Sequence, residues 1–432
     1  MRIDQLPRVT KAGIVAENRE ELIMDVTRRD LFKTAGGVSL ATMLGQIGAS
    51  GEAFAAPSLS LPAKGEFPGV RDQVFLNCAS DHPWPRGAAA ALKDYGSGKM
   101  GLPGGGAAAS SLFARLINAA ANEITYVPST SIGEYLVNQA LGIPGSGGRI
   151  VTDNLHFVGS FYMYEQFAKQ GMDVVAVQAD WANEGRISVA DFDAAITPGT
   201  KLVAISHVSM VNGLEHEVKA ICDIAHARGA LVFVDLIQSA GAVPVDVKAM
   251  GVDFAACGTY KWLMGDFGFA FLYVNPSLLP RLRRPWYGYL QTRGFVDPTT
   301  PPFNEKPYQS QQNNTVAGYF AGSFPARAVE AACAYTLQWL LDVGVANIQS
   351  YRQPMIDALQ REMRARGWSP MTPLESRSPI VSFGYRGASQ LAPRLAPKKI
   401  HITLRTDYFR VSPSVFNDMN DIDVFLGAIG NP

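Results

Sequence analysis

Two ionisable side chains follow apolar segments in the middle of the chain. The run Leu231–Val234 ends at Asp235, and the segment Asp253–Cys257 leads within four residues to Lys261. If both runs are parallel strands, their carboxyl ends meet at one edge of a sheet, and the two side chains lie close together. An amine there can form an imine with an aldehyde, and a carboxylate can keep a pyridine nitrogen protonated. This is the chemistry that pyridoxal phosphate (PLP) requires.

Short apolar runs alternate with helical stretches from Val74 onward, which predicts a parallel sheet covered by helices. A long helix over 326–343 and a mixed tail follow a Pro-rich, irregular section over 276–308. We therefore predict an N-terminal arm over 56–90, a large domain over 91–325 and a small C-terminal α/β domain over 326–432. We expect the irregular section to shape the mouth of a substrate site.

The segments Phe233–Gly241, Val252–Phe254 and Gly258–Leu263 resemble the class V aminotransferase family of PLP enzymes. The resemblance extends more weakly from about Phe75 to the C-terminus. It implies an aspartate-aminotransferase-like (PLP fold type I) large domain with a mainly parallel seven-stranded sheet. It also implies a PLP cofactor, an amino-acid-like substrate and a homodimer with sites shared across the interface.

The same resemblance assigns roles to individual residues. Lys261 would form the Schiff base and move the α-proton, Asp235 would pair with the pyridine nitrogen, and Gln238 would donate to the phenolic oxygen of the cofactor. The cofactor phosphate would be held by hydroxyl and backbone groups at a helix N-terminus and beside the lysine, a set comprising Thr130, Ser131, Thr259 and Tyr260. No metal ligands are expected.

Further assignments concern the ring and the substrate. His156 would stack on the cofactor ring, although Phe157 could do so instead. Arg410 would grip the substrate carboxylate, with Arg405 as a second candidate. Ser323 would reach the phosphate of the neighbouring subunit, but an inserted phenylalanine after it departs from the family's Gly-Thr-Pro pattern.

Aminotransfer is the leading reaction, and the chain looks nearer the kynureninase and isopenicillin N epimerase-like branch than the cysteine desulfurases. Desulfurases place a nucleophilic cysteine in the C-terminal part, near the segment that is 398–406 here, whereas this chain has no cysteine after Cys333. Epimerisation, elimination and oxidative decarboxylation would use the same cofactor residues. A non-catalytic binding protein of the same fold is the alternative from another class.

Composition limits the partners. Equal numbers of acidic and basic residues give no net charge, which argues against a nucleic-acid partner. The body of the chain shows no apolar run of membrane-spanning length. The four cysteines have no paired spacing, so they predict neither a metal site nor a disulfide framework and are expected to be small buried residues.

The first 55 residues resemble a twin-arginine export signal. Arg28 and Arg29 precede a Gly- and Ala-rich stretch, and Ala53-Phe54-Ala55 supplies the small residues of a cleavage site before Ala56. We therefore expect the twin-arginine machinery to export the folded protein to the periplasm. Met24 is an alternative start, and an amphipathic cytosolic extension is the alternative interpretation of the segment.

Overall fold

The structure is a computed structural model that describes residues 60–97, 105–295 and 310–432. The predicted export signal over 1–55 and the first residues of the predicted arm lie outside the described residues. The described strands, in chain order, are β1 (Val74–Phe75), β2 (Ile124–Val127), β3 (Arg149–Asp153), β4 (Asp173–Val177), β5 (Thr200–Ser206), β6 (Leu231–Asp235), β7 (Phe254–Gly258), β8 (Ala270–Val274), β9 (Thr292–Phe295), β10 (Ser310–Gln312), β11 (Ser369–Pro370), β12 (Val381–Gly384), β13 (Ile400–His401), β14 (Thr403–Leu404) and β15 (Tyr408–Val411).

The described helices include two long ones on the C-terminal side of the chain, α8 and α9, and several shorter ones. In chain order they are α1 (Arg86–Gly96), α2 (Gly105–Leu116), α3 (Thr130–Ala140), α4 (Val158–Lys169), α5 (Val189–Ala195), α6 (Val218–Ala227), α7 (Val316–Phe320), α8 (Arg327–Val343), α9 (Val345–Ala365), α10 (Ala392–Leu395) and α11 (Met419–Ile429). No helix in the described ranges combines the length and the apolar character that a membrane-spanning segment needs.

A seven-stranded sheet in the order β2-β8-β7-β6-β5-β3-β4 forms the centre of the fold. The pairs among β7, β6, β5, β3 and β4 are parallel, and only β8 runs against its neighbours β2 and β7. Every residue of β6, β7 and β8 is buried. Such continuous apolar strands are typical of a sheet that is covered on both faces. The predicted mainly parallel seven-stranded α/β fold is confirmed.

A second, four-stranded antiparallel sheet in the order β11-β12-β15-β14 lies near the C-terminus. Its core includes Phe383, Phe409 and residues of α9 and α11, and Leu76 from the N-terminal arm joins the same cluster. Helix α8 instead contributes Cys333 and Leu337 to the cluster around the large sheet. The domain boundary at 325/326 remains a prediction.

Capping residues and glycines explain where several helices begin, whereas one strand has no clear pattern in the sequence. Ser188 caps α5 by accepting a hydrogen bond from the amide of Asp191 at 3.2 Å, as its sequence position predicts. Helix α9 begins at Val345, directly after Gly344, whose φ of +82° separates it from α8. Strand β2 was not anticipated, since its run Ile124–Val127 includes a polar Thr and a Tyr.

Gly241 supports the segment that carries the lysine. Its φ is +87°, and an added Cβ would lie 2.5 Å from the carbonyl oxygen of Trp262, whereas Gly229 has φ +77° with nothing within 4 Å. We expect Gly229→Ala to lower the free energy of unfolding by about 1 kcal/mol through backbone strain. Gly241→Ala should cost a further ~1–3 kcal/mol through the steric clash. Urea denaturation of both variants tests this, and equal losses would contradict the close approach.

Candidate active site

The carboxyl ends of the parallel strands place the candidate residues at one edge of the large sheet. Ser206 at the end of β5 is the register partner of Asp235 at the end of β6, and Asp235 in turn lies opposite Ala256 of β7. Lys261 follows β7 by three residues, and His156 follows β3 by the same interval. The strand order therefore brings together side chains that are far apart in sequence.

Lys261 is buried but unpaired. Its side chain is 6% exposed, and among the described residues its Nζ has no hydrogen bond or ion pair. The nearest aromatic contact is Tyr260, whose ring centre lies 5.5 Å from Nζ. Burial and the nearby Arg410 guanidinium lower the pKa of Lys261 to about 8, although Asp235 opposes the shift. A far larger share of this amine than of an ordinary lysine is therefore neutral and nucleophilic near neutral pH.

Asp235 is equally enclosed, with 4% of its surface exposed. Its Oδ1 accepts a hydrogen bond from the amide of Ile237 at 2.8 Å. Burial raises the pKa of Asp235 to about 6, while His156, the Ile237 amide and Lys261 lower it. The carboxylate is thus poised to accept a cationic partner, which would keep it ionised.

His156 is buried between two polar partners that the sequence did not lead us to expect. Its Nδ1 lies 2.9 Å from the Ser206 hydroxyl, and its Nε2 lies 3.1 Å from Oε1 of Glu134. Glu134 lies on the buried face of α3 with Thr130, Gly133 and Val137. A carboxylate on the apolar face of a predicted helix was the signal in the sequence that could have identified Glu134 as a site residue. Phe157, the alternative stacking residue, is half-buried.

Arg410 projects from β15 of the small sheet. Its Nη1 donates to the carbonyl of Met210 at 2.6 Å, and its Nη2 donates to the hydroxyls of Ser80 at 2.8 Å and Thr403 at 3.1 Å. Its Nε is buried and has no partner among the described residues. Arg405 is exposed. Arg410 is therefore the candidate that has an enclosed cationic donor available for a carboxylate.

The Ser-Thr-Ser turn forms a helix N-terminus, as the resemblance implies. Ser129 caps α3 by accepting a hydrogen bond from the amide of Ile132 at 3.2 Å. The Thr130 hydroxyl accepts from the amide of Gly258 at 2.9 Å, which joins this helix start to the end of β7. Ser131 is half-buried. Such a turn presents free amide groups and a positive dipole end to an anion.

The Thr259 hydroxyl, which stays a predicted phosphate contact, has partners within the chain. It is fully buried and lies 2.7 Å from the carbonyl of Asp266 and 3.0 Å from that of Phe269. The single hydroxyl hydrogen is thus committed to the backbone of the loop after the lysine, where it stabilises the turn. Tyr260 remains half-buried and stacks on Phe267 with ring centres 4.1 Å apart.

Gln238 is held in a fixed orientation. Its Oε1 accepts from the indole of Trp262 at 2.9 Å, and its Nε2 donates to the carbonyl of Ala79 at 3.0 Å. The second hydrogen on Nε2 is the one that could serve the cofactor's phenolic oxygen. The sequence did not indicate the Trp262 contact, because it joins side chains from two different strand ends.

Ser323 lies apart from the other candidates. It is exposed and lines a cavity of about 290 Å³ together with Tyr126, Trp286 and Phe324. None of the residues around Lys261 lines that cavity. Within one chain, the structure therefore does not bring Ser323 to the lysine.

Comparison with known proteins finds similar sequences and a similar fold. The uncharacterized aminotransferase YcbU of Bacillus subtilis is 28% identical over 315 residues, which cover 72% of this chain and 79% of that protein. A probable cysteine desulfurase of Methanothermobacter thermautotrophicus is 33% identical over 225 residues, or 49% of this chain and 56% of its own. The apo cysteine desulfurase of Thermococcus onnurineus superposes with a TM-score of 0.76 at 21% identity, covering 86% of this chain and 97% of that one.

The family comparison is more direct, because the model of aminotransferase class-V matches residues 107–406. That range spans β2 through β14 and includes Lys261, Asp235, Gln238 and His156. The chain therefore belongs to the class V aminotransferase family of PLP-dependent enzymes.

Proposed function

We propose that this enzyme is an aminotransferase that takes the amino group from an amino acid or an amine-bearing metabolite. One observation carries the proposal. An unpaired, partly neutral lysine has an enclosed carboxylate and a guanidinium with an unpaired Nε near enough for both to affect its charge. A substrate that carries both an amine and a carboxylate matches these groups.

The residues present fit PLP. When bound, PLP supplies an aldehyde that condenses with amines and a ring that takes up the electron pair released at the substrate's α-carbon. Lys261 Nζ has no competing partner among the described residues, and Asp235 is poised to hold a protonated ring nitrogen. The N-terminus of α3 offers amide donors for the phosphate.

Two residues of the chain would have separate roles in the reaction. Lys261 moves the proton at the substrate's α-carbon, because its lowered pKa leaves a neutral amine available. Arg410 orients the substrate through its carboxylate, and its bonds to Met210, Ser80 and Thr403 fix the guanidinium plane. Which bond at the α-carbon breaks depends on this orientation.

The cysteines favour aminotransfer over desulfuration. All four are buried, and burial raises the pKa of Cys78 and Cys257 well above the ordinary value and that of Cys222 and Cys333 to about 12. A nucleophilic cysteine needs an accessible thiolate. The segment 398–406, where desulfurases carry theirs, contains no cysteine.

The reaction is tested by mixing the purified, PLP-loaded protein with a panel of amino acids. We expect at least one to yield its keto acid together with the amine form of the cofactor. Lys261→Ala should lack the near-visible absorbance of lysine-bound cofactor and react roughly 10²–10⁴-fold more slowly.

The control is Lys248→Ala, which removes a lysine paired with Glu123 and should keep full activity. Inversion of the substrate, release of ammonia without the amine form, or release of carbon dioxide would assign epimerisation, elimination or decarboxylation instead. A protein that takes up no PLP would favour a binding role.

The titration of Lys261 gives a second test. Only the neutral amine attacks an aldehyde, so PLP attachment to cofactor-free protein should increase with pH through about 8 and then level off. Burial lowers the pKa of Lys248, but its hydrogen bond to Glu123 raises it above the ordinary 10.5, so its labelling should keep increasing. Borohydride trapping and peptide mapping measure both sites. Parallel profiles for the two lysines would contradict the lowered pKa.

We also propose that the protein is exported and dimeric. The paired arginines at 28 and 29 support export. The exposed aromatic side chain of Phe324, which lines the cavity beside Ser323, supports a second copy at that face, and the exposed Phe267 and Tyr287 directly adjoin the lining residues Gly268 and Trp286 in the chain. Fractionation of cells that carry Arg28→Lys and Arg29→Lys should show loss of periplasmic protein, and sedimentation of the wild type should give twice the chain mass. Periplasmic arrival of the double variant, or a monomer, would refute the corresponding part.

A further inference from the structure

Glu134 is a buried carboxylate that the catalytic scheme above does not use. It is 1% exposed, and its Oε1 accepts from His156 Nε2 at 3.1 Å and from the Tyr164 hydroxyl. Its Oε2 accepts from the Ser160 hydroxyl at 2.6 Å. Three donors converge on this group from α4 and the turn before it. A carboxyl that only accepts hydrogen bonds is ionised, and an enclosed anion needs a cationic partner.

His156 is the cation available to it. Both ring nitrogens of His156 lie within hydrogen-bond distance of oxygen atoms, one on Glu134 and one on Ser206. An imidazolium donates from both nitrogens, so the protonated ring satisfies both contacts at once. Burial lowers the pKa of His156, but Glu134 outweighs it, with smaller contributions from Asp235 and Asp153, and the result is about 9. His156 and its hydrogen bonds in turn keep the pKa of Glu134 low despite burial.

The pair also lies next to Asp235, because Ser206, whose hydroxyl is 2.9 Å from Nδ1 of His156, is the register partner of Asp235 on the neighbouring strand. Of the charged groups around Asp235, His156 lowers its pKa the most and Lys261 lowers it less. Glu134 raises the pKa of Asp235, and its effect is the smallest of the three. Neutralising Glu134 and His156 together would therefore make Asp235 harder to ionise. The pyridine nitrogen needs an ionised partner at this position.

We propose that Glu134 is a positioning residue that holds His156 as a buried imidazolium, and that this cation keeps Asp235 ionised for the pyridine nitrogen of PLP. The second half rests on the proposed role of Asp235. The same positive charge near Asp235 would also favour the uptake of electron density by a cofactor held at this site.

The first experiment needs no cofactor. The full-length protein is labelled at Cε1 of its six histidines, and His156 is assigned by its absence in His156→Gln. In the wild type, the His156 signal should remain that of imidazolium through neutral pH. In Glu134→Gln, it should be that of neutral imidazole at the same pH, because burial then outweighs the smaller contributions of Asp235 and Asp153. Ser160→Ala is the matched control, since it removes one donor to Glu134 but keeps the charge, and His156 should stay protonated.

The second experiment measures the dissociation constant of PLP across pH. For a one-unit rise in the pKa of Asp235 from about 6, Glu134→Gln should bind PLP about twofold more weakly at pH 7, and the loss should approach about tenfold below pH 6. The difference from wild type should shrink as pH rises, because Asp235 is then ionised in both proteins. Ser160→Ala should bind PLP as the wild type does.

The outcomes separate this inference from the proposed function. A neutral His156 in the wild type, or an unchanged titration in Glu134→Gln, overturns the role of Glu134 whatever reaction the enzyme catalyses. A changed titration with unchanged PLP affinity overturns the link to Asp235. A wild type that binds no PLP refutes the proposed function and the link to Asp235, while the titration still decides whether Glu134 protonates His156.

Discussion

The site depends on the enclosure of opposite charges at the carboxyl edge of one sheet. Lys261 and Asp235 lose nearly all contact with water, and burial pushes both toward their neutral forms. Neither makes a direct ion pair with the other among the recorded contacts, so each stays available to a ligand. A fixed backbone is what permits this. The strands that end at these residues are buried along their whole length and register residue by residue.

The charges around this pair are arranged to receive an anion. Glu134 is matched by His156, and Asp235 and Lys261 each favour the charged form of the other, which leaves the guanidinium of Arg410 without a carboxylate partner among the described residues. Its three hydrogen bonds go to a carbonyl and two hydroxyls, which orient the group but do not neutralise it. An enclosed cation with one donor unused favours a ligand that brings negative charge. The carboxylate of an amino acid meets this requirement.

The sequence predicted the parts of the site that follow strand ends. Asp235 and Lys261 could be placed because an apolar strand and its last residue are adjacent in the chain, and the helix start at Thr130 carries its own capping signal. The direction of a side chain is different, because it depends on neighbours that are distant in sequence. Thr259 was assigned to the phosphate, yet it bonds carbonyls seven and ten residues further on. Gln238 was assigned to the cofactor, and its orientation is set by Trp262 and Ala79. Glu134 was missed because its partners come from α4 and the turn before it.

Some residues of the site lie at positions that the whole fold shares, and others lie on elements that can differ between proteins of this fold. The strand ends that hold Lys261 and Asp235 belong to a fold found in proteins named as aminotransferases and as desulfurases, so these residues do not distinguish the reactions. The residues that can distinguish the reactions come from other elements: the small sheet supplies Arg410, and helix α3 supplies Glu134. Both act on charge rather than on shape. A substitution at such a residue can therefore change how strongly the cofactor ring attracts electrons without changing the fold. By that route, the type of reaction can diverge among proteins that share one fold.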